Sequence, residues 1–343
     1  MKIKDKIVTF SIIGCGAIAQ RHAQHIYRIG RLVSVCDINK EKADFLAQKY
    51  KANAYYNIKS LLAADKQADV VSICTPNGLH AEHAIQALRT GHHVLCEKPM
   101  AIKVKDCQKM IVEAKKARKQ LFVVKQNRFN PPVAAVKKLL DAGKLGTIFG
   151  VQVNCFWNRN KNFYEQTNWR GTKNMDGGVL FTQFSHFIDL LYWMFGNVNE
   201  VKAYIANYNH PYTQIDDHGG AILKFDNGAI GTFHFTINAH QKNMEGSITI
   251  FGGKGTVKIG GQYLNELEYQ SIDNCKITNL PRGNKANNYG FYQGSMSNHD
   301  KIYENLRDIL LGRKGEIADG NDGLKTVEII AKMYKQANKT RRT

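Results

Sequence analysis

Residues 7–19 read IVTFSIIGCGAIA, and this stretch decides the fold of the first part of the chain. The apolar run Ile7–Ile13 predicts a buried strand, and the residues behind it match the G-x-G-x-x-A pattern of a dinucleotide-binding loop. Gly14 permits the tight turn, Gly16 lets the backbone approach a pyrophosphate, and the small Ala19 allows a helix to pack closely on the strand. Alone such a loop is weak evidence, so its context matters.

The context of the loop is a helix, a second strand and an acidic residue in the required order. The helix entered at Ala17 and Ile18 presents free N–H groups and a positive dipole end to phosphate. The next apolar run, Leu32–Cys36, ends at Asp37, 21 residues beyond Gly16. A carboxylate at this position binds both ribose hydroxyls of NAD and repels the 2′-phosphate of NADP. The pattern therefore predicts a site for NAD, while Asp37 by itself could be an ordinary acidic turn residue.

Strands and helices go on alternating as far as residue 125. The first domain is therefore predicted to be an α/β unit, a doubly wound parallel sheet of the Rossmann type. The further predicted strands are Ala52–Tyr55, Asp69–Cys74, Val94–Cys96 and Leu121–Lys125, and the further helices are Glu41–Tyr50, Ile58–Ala64, His80–Thr90 and Lys105–Arg118.

Polar residues follow the fourth strand. In an open α/β sheet, ligands bind at the carboxyl ends of the strands. Thr75, Pro76 and Asn77 suit a turn at that edge, with His80 close behind. We expect these residues to line the path of the adenosine and the nicotinamide ribose.

The fifth strand delivers a lysine to the same edge. Residues 92–100 read HHVLCEKPM. Pro99 cannot donate to a sheet ladder, so it ends the strand just beyond Glu97 and Lys98. Burial or a nearby positive charge retunes a lysine, which suits Lys98 to chemistry. The alternative is a surface lysine at the end of a strand.

The glycine loop, the TPN segment at 75–77, HVLCEKP at 93–99 and a later GG…H-x-x-D segment resemble, in order and spacing, the Gfo/Idh/MocA sugar oxidoreductases. The resemblance covers nearly the whole chain. It implies hydride transfer between a sugar carbon and a nicotinamide, in a nucleotide domain joined to an α/β domain with a large, mostly antiparallel sheet. It also implies that Lys98 is catalytic and that Glu97 lies beside the nicotinamide.

The segment KQNRFNP at 125–131 resembles the subgroup that oxidises the 3-position of nucleotide-linked N-acetylglucosaminuronate in surface-polysaccharide sugar biosynthesis. By this resemblance Gln126 contacts the cofactor, and Arg128 and Asn130 contact the substrate. Arg128 could form a bidentate pair with a carboxylate or phosphate of the substrate. It could equally form a salt bridge between the two domains, and the sequence leaves both readings open.

The expected domains are residues 1–128, for NAD, and 129–343, for substrate and oligomerisation, with helices in 298–337 free to pack back on the first. Successive strands without crossover helices imply an antiparallel sheet in the second domain. The residues Asp226, Asn227 and Gly228 give a hairpin signal. The predicted helix is Val133–Ala142, and the predicted strands are Thr147–Phe156, Glu200–Asn207, Gly219–Phe225, Ala229–Asn238 and Ser247–Phe251.

The segment between the first two of these strands holds the remaining candidate site residues. His186 begins an apolar helix, where a histidine is commonly a core residue. By the family resemblance, however, it faces the sugar carbon, and we prefer it as the general base because the ordinary pKa of histidine, near neutrality, suits proton uptake. Many members carry an aspartate four residues earlier, where this chain has Thr182, so Thr182 or a backbone carbonyl is expected to orient the ring. The other expected substrate contacts are Trp169, Arg170, Thr182, Gln183 and Lys98.

The basic composition admits nucleic acid or a polyanionic small substrate as a partner, and charge alone does not decide between them. The net charge is +19, from 48 Lys and Arg against 29 Asp and Glu, but the basic residues are spread along the chain. That pattern argues against a nucleic-acid partner. The short N-terminal apolar run is a strand rather than a signal peptide, and no segment approaches a membrane span. Seven cysteines without paired spacing fit a reducing cytoplasm, and no spacing resembles a zinc site, so no metal is expected.

The sequence thus predicts a cytoplasmic NAD-dependent sugar dehydrogenase, and the resemblance implies a homo-oligomer, a dimer or tetramer, formed through an open sheet face. Whether Lys98 or His186 takes the hydroxyl proton stays open. Two other functions stay open as well: a dehydrogenase of a free sugar or polyol such as inositol, and a nucleotide-binding protein without catalysis.

Overall fold

The structure is a computed structural model that describes residues 6–290 and 292–340. Residues 1–5, Phe291 and the last three residues lie outside this range. The chain divides into two compact units. The first holds the described residues up to Lys125 together with His299–Val327, and the second holds Gln126–Asn298 and the residues from Glu328 onward.

A six-stranded parallel sheet forms the centre of the first unit, in the order β3-β2-β1-β4-β5-β6. Every residue of the first strand, TFSII, is buried, as expected for a parallel sheet covered on both faces. The predicted doubly wound fold is confirmed. The strands are β1 (Thr9–Ile13), β2 (Arg31–Cys36), β3 (Asn53–Tyr55), β4 (Val70–Ile73), β5 (His93–Cys96) and β6 (Leu121–Val123), and the helices are α1 (Ala17–Ile29), α2 (Lys40–Tyr50), α3 (Ile58–Ala64), α4 (His80–Arg89) and α5 (Val104–Ala117).

A seven-stranded sheet forms the centre of the second unit, in the order β13-β12-β11-β7-β10-β9-β8. All neighbours are antiparallel except β7 and β10, so the predicted mostly antiparallel sheet is confirmed. The helices are α6 (Pro131–Asp141), α7 (Lys161–Glu165), α8 (Val179–Thr182) and α9 (Ser185–Phe195), and the strands are β7 (Ile148–Phe156), β8 (Val198–Ala206), β9 (His218–Phe225), β10 (Ile230–Thr236), β11 (Glu245–Gly252), β12 (Gly255–Gly260), β13 (Glu266–Ile272), β14 (Ala286–Asn288) and β15 (Gln293–Met296).

The hairpin signal between β9 and β10 is confirmed. Gly228 has a φ of +87°, and its N–H donates to the carbonyl of Phe225. Strands β12 and β13 were not predicted, because β12 is short and bounded by glycines and β13 is a polar edge strand, ELEYQSI. Along the strands of the seven-stranded sheet, side chains alternate between a buried face and an exposed one. The predicted interface between copies of the chain on the exposed face stays a prediction. Large apolar side chains exposed in this unit include Phe149, Tyr204, Ile222, Ile230 and Tyr269.

The chain returns to the first unit with helix α10 (His299–Leu310) and the start of helix α11 (Gly320–Thr340). Between them, the N–H of Val123 donates to the carbonyl of Ala318, and Phe122 forms an antiparallel bridge with Asp319. This segment covers the otherwise open edge of β6. Within the described residues, no helix is both long enough and apolar enough to cross a membrane.

Candidate active site

The glycine loop between β1 and α1 has the geometry that a pyrophosphate needs. Gly14 has a φ of +93°, and a Cβ there would lie 2.7 Å from the carbonyl carbon and oxygen of Cys74. At Gly16, by contrast, a Cβ would meet no atom within 4 Å. Gly16 also precedes α1 without any side-chain cap, so the N–H groups of Ala17 and Ile18 at the helix start are available to phosphate. The loop therefore fits NAD.

Asp37, at the end of β2, is held against this loop. Its Oδ2 accepts the N–H of Cys15 at 2.7 Å, and its Oδ1 accepts the N–H of Asn39 at 2.8 Å. Each carboxylate oxygen keeps further acceptor capacity, which two ribose hydroxyls can use. The position fits the predicted ribose role.

The two glycines give a matched pair of variants. We expect Gly14→Ala to destabilise the protein, because the added methyl group collides with the backbone of Cys74 at a strained φ. Gly16→Ala should unfold at nearly the wild-type temperature but bind NAD at least about tenfold more weakly, since its methyl group occupies the place of a phosphate. Thermal unfolding and titration with NADH fluorescence measure the two effects. Wild-type NADH affinity in Gly16→Ala would contradict the assignment of the loop.

His80 connects the loops that follow β4 and β5. Its Nε2 lies 2.8 Å from the carbonyl oxygen of Thr75, and its Nδ1 lies 2.7 Å from that of Pro99. The ring is 1% exposed, and burial lowers its pKa. Thr75 Oγ1 lies 3.0 Å from His83 Nδ1, and Asn77, after Pro76, starts a short 3-10 helix. The structure thus gives His80 a bracing function, and its predicted contact with the cofactor stays a prediction.

Lys98 follows β5 at the carboxyl edge of the sheet, as predicted, and is half-buried; the Lys98–Pro99 peptide bond is cis.

The carboxylate of Glu97, the residue before Lys98, is turned inward. Its Oε2 accepts the N–H of Lys98 at 3.0 Å, and its Oε1 lies 2.8 Å from Nε2 of His22. Burial acts to raise the pKa of Glu97, but the hydrogen bond from His22 and the nearby ring of His299 lower it well below the ordinary range.

In the second unit, His186 is the second residue of helix α9 and is 3% exposed. Its Nε2 lies 3.4 Å from Nε2 of Gln126 and 3.3 Å from Oγ of Ser295. An amide N–H of Gln126 donates to a nitrogen that carries a lone pair, and this is the form a general base needs. Ser295 lies on the short strand β15, and no sequence pattern singled it out.

The turn before His186 rests on two buried carboxylates. The hydroxyl of Thr182 donates to Asp176, and that of Tyr334 donates to Oδ1 of Asp216 at 2.7 Å. A Cβ at Gly178 would lie 2.1 Å from the Tyr334 hydroxyl oxygen, so only glycine fits there. The hydroxyl proton of Thr182 is directed to Asp176, and a role of Thr182 in orienting His186 stays a prediction.

This turn predicts an unusual dependence of stability on pH. Burial raises the pKa of Asp216 to about 6, whereas an aspartate in the unfolded chain titrates near 3.9. The folded state therefore binds the Asp216 proton more tightly than the unfolded chain does. The stability that this proton contributes is complete below about pH 4 and is lost as the pH rises through about 6. At pH 7.5 we expect Asp216→Asn, which can still accept from Tyr334, to be about 2–3 kcal/mol more stable than wild type. Urea unfolding at pH 3.5 should show no such gain; an equal difference at both pH values would contradict the assignment.

Arg128 is paired within the second unit. Its Nε and Nη2 donate to the two carboxylate oxygens of Asp189 at 2.9 and 2.8 Å, and its guanidinium lies over the ring of Trp193. The salt bridge is structural, but it does not join the two domains as the sequence reading had it, because both partners belong to the second unit. Asn130 is likewise occupied: its amide N–H groups donate to the carbonyls of Tyr263 and Leu264. Their predicted substrate contacts therefore receive no support from this geometry.

Two of the remaining predicted substrate residues, Gln183 and Arg170, lie near a buried cation, Arg159, that the sequence did not reveal. Gln183 Oε1 accepts from Nε of Arg159 at 2.7 Å, and Arg159 is 2% exposed. Arg170 lies over the ring of Phe163 at 4.3 Å and near Trp169 at 5.7 Å. Burial lowers the pKa of Arg159 to about 10. Arg159 lies in the polar run NRNK, which resembles a surface loop.

A cavity of about 750 Å³ also lies in the second unit. Asn130 and Asn298 line it, together with three basic and three acidic side chains, so its charge is balanced. Asn298 donates to Oδ1 of Asn130 at 2.7 Å and to the carbonyl of Gln126 at 3.3 Å. The charged lining residues are Lys258, Arg282, Lys285, Glu245, Glu266 and Glu268.

Comparison with known proteins agrees with this geometry. Residues 8–125 match the model of an oxidoreductase family with an NAD-binding Rossmann fold, and residues 133–258 match the GFO/IDH/MocA C-terminal domain. The Rossmann unit with its NAD loop, together with these matches, identifies an NAD-dependent oxidoreductase. The chain belongs to the Gfo/Idh/MocA family.

Two solved structures are similar over almost the whole chain. The WlbA dehydrogenase of Bordetella pertussis, in complex with NADH and UDP-GlcNAcA, is 33% identical, with 97% of each chain covered and a TM-score of 0.88. The WlbA dehydrogenase of Chromobacterium violaceum, with the same ligands, is 34% identical, with 98% of this chain and 96% of that chain covered and a TM-score of 0.88. A curated relative from Comamonas testosteroni, 1-carboxy-3-chloro-3,4-dihydroxycyclohexa-1,5-diene dehydrogenase, is 33% identical over 60% of this chain, which spans half the length of that protein.

Proposed function

We propose that this enzyme oxidises the C-3 hydroxyl of a nucleotide-linked N-acetylglucosaminuronate, as a step in the biosynthesis of surface-polysaccharide sugars. One observation supports this substrate most strongly. The two WlbA structures that hold NADH and UDP-GlcNAcA resemble this chain from end to end at 33% and 34% identity. Levoglucosan dehydrogenase, at 22% identity and a TM-score of 0.82, shares the fold alone.

In the proposed reaction, NAD supplies the hydride acceptor and the protein supplies the base. Lys98 and His186 are the residues that we assign to the proton. The unprotonated Nε2 of His186, beside Gln126 and Ser295, is suited to take the hydroxyl proton. The Lys98 amine is then suited to hydrogen-bond the oxygen on which negative charge develops. Gly14, Gly16 and Asp37 are assigned to the phosphates and ribose of the cofactor.

The charge of the protein agrees with an anionic substrate. A net charge of +19 favours the approach of a molecule with a pyrophosphate and a carboxylate. Within the second unit, two guanidinium groups, those of Arg159 and Arg170, lie over the same rings of Phe163 and Tyr292. Among the described residues, the guanidinium of Arg159 donates only to amide and carbonyl oxygens and to no carboxylate.

A panel of substrates tests the proposal. With NAD in excess, UDP-N-acetylglucosaminuronate should give kcat/KM values at least about 100-fold above those of UDP-N-acetylglucosamine, which lacks the carboxylate, and of the free uronate, which lacks the nucleotide. Glucose 6-phosphate, levoglucosan and inositol represent the other sugar classes. The formation of NADH is followed by absorbance. A higher kcat/KM for any free sugar or polyol would overturn the proposed substrate while leaving the enzyme class intact.

A further inference from the structure

Both carboxylate oxygens of Glu97 form hydrogen bonds within the first unit. The residue is 6% exposed, and a buried carboxylate is costly unless it is hydrogen-bonded. One oxygen accepts the backbone N–H of Lys98 at 3.0 Å. The other lies 2.8 Å from Nε2 of His22, in helix α1. The carboxylate therefore connects the lysine loop to helix α1, the helix that follows the glycine loop.

The hydrogen bonds continue beyond His22 into the C-terminal part of the chain. The Nδ1 of His22 lies 2.6 Å from the hydroxyl of Tyr303, in helix α10. That hydroxyl lies 3.0 Å from Oγ of Ser72, in β4. All three side chains are fully buried, so the chain of hydrogen bonds is sealed from solvent.

The chemistry of the groups gives this chain a single direction. An ionised carboxylate only accepts, so Nε2 of His22 must carry a proton. Burial lowers the pKa of His22, so the ring is neutral and its Nδ1 accepts. Tyr303 must then donate its proton to Nδ1, and burial, which raises the pKa of Tyr303, keeps that proton in place. The remaining bond is satisfied when Ser72 donates to the oxygen of Tyr303.

We propose that Ser72, Tyr303 and His22 form a one-directional hydrogen-bond chain that holds the Glu97 carboxylate against the backbone of Lys98, which makes His22 and Tyr303 positioning residues for that lysine. The inference rests on the proposed role of Lys98. Helix α10, encoded about 200 residues after Lys98, thereby supplies a group that sets the lysine loop.

A metal ion is the competing occupant of the same cluster. One ligand atom from each of His22, Glu97 and His299 lies within 4.8 Å of the others, and Nε2 of His299 is 3.5 Å from the Glu97 carboxylate. A metal bound there would need the lone pair of Nε2 of His22, with the proton on Nδ1. The hydrogen-bond chain and the metal site therefore require opposite tautomers of His22.

Nuclear magnetic resonance of the protein labelled with ¹⁵N-histidine distinguishes the hydrogen-bond chain from the metal site. We expect His22, assigned by the loss of its signals in His22→Gln, to be a neutral Nε2–H tautomer that does not titrate between pH 5.5 and 8.5. In Tyr303→Phe the Nδ1 resonance should shift because its donor is gone, while Nε2 stays protonated. An Nδ1–H tautomer, an imidazolium, or one equivalent of metal in the purified protein would overturn the proposal.

Kinetics separate positioning from a merely structural role. Tyr303→Phe should lower kcat about 10- to 100-fold, with the KM for NAD within about twofold of wild type. His22→Gln, which can still donate to Glu97, should retain more activity than His22→Leu. Tyr56→Phe, which loses an exposed hydrogen bond to Asp44, is the matched control and should keep full activity. Wild-type kcat in both Tyr303→Phe and His22→Leu would refute the positioning role.

The hydrogen-bond chain and the catalytic role of Lys98 are tested independently. If Lys98→Met stayed active, the catalytic role of Lys98 would be wrong, yet the tautomer of His22 would still show whether the hydrogen-bond chain exists. If the tautomer were reversed, Lys98 could remain catalytic without this support.

Discussion

Replacing Lys98 with methionine is expected to lower kcat about 10³-fold or more while leaving NAD bound. Methionine keeps most of the length and apolar contact of lysine but can neither donate to the developing alkoxide nor accept a proton. The glycine loop and Asp37 do not depend on this side chain, so NAD should still bind. Stopped-flow absorbance gives the rate of NADH formation, and calorimetric titration gives the cofactor affinity.

Lys105→Met provides the control for this variant. Lys105 is exposed on helix α5 of the same unit, so removing its charge changes the net charge equally without touching the loop after β5. It should turn over at the wild-type rate. A Lys98→Met enzyme within about tenfold of wild type would show that Lys98 is not catalytic.

Arg128→Leu is expected to destabilise the protein by about 3–5 kcal/mol, because it leaves the buried carboxylate of Asp189 without its bidentate partner. Both groups are nearly inaccessible to water, with 9% and 2% of the side chains exposed. Urea unfolding measures the loss. Because the guanidinium is committed to Asp189, kcat/KM should fall by similar factors for charged and neutral sugars.

The double variant Arg128→Leu/Asp189→Leu tests the cause. With both charges removed, most of the lost stability should return, since no unpaired charge stays buried. If the double variant is as unstable as the single one, packing against Trp193 rather than charge explains the loss. A selective loss of charged substrates in Arg128→Leu would instead assign this side chain to the substrate.

The Rossmann unit could be predicted closely from the sequence because its signals are local. Apolar runs, the glycine loop and Asp37 each act within a few residues, and all six strands follow them. The contacts around His186 depend on distant parts of the chain. Ser295 lies 109 residues away from His186, and Asn298 lies 172 residues from Gln126. No periodicity in one sequence shows such pairs.

Two further features were hidden for a different reason. Arg159 is a buried cation in a polar stretch, and a polar stretch normally indicates a surface loop. Arg128 had two equally good readings, because a guanidinium binds an aspartate and a substrate carboxylate with the same geometry. Only the position of Asp189 separates them.

The most direct measurement of the central claim follows the hydrogen itself. UDP-N-acetylglucosaminuronate carrying deuterium at C-3 is mixed with excess enzyme and NAD for a single turnover, and the cofactor is analysed by mass spectrometry. Our account predicts NADH heavier by one mass unit, with the deuterium on the nicotinamide ring, and no deuterium transfer in Lys98→Met. Unlabelled NADH, or unchanged NAD with intact substrate, would contradict the proposed oxidation at C-3.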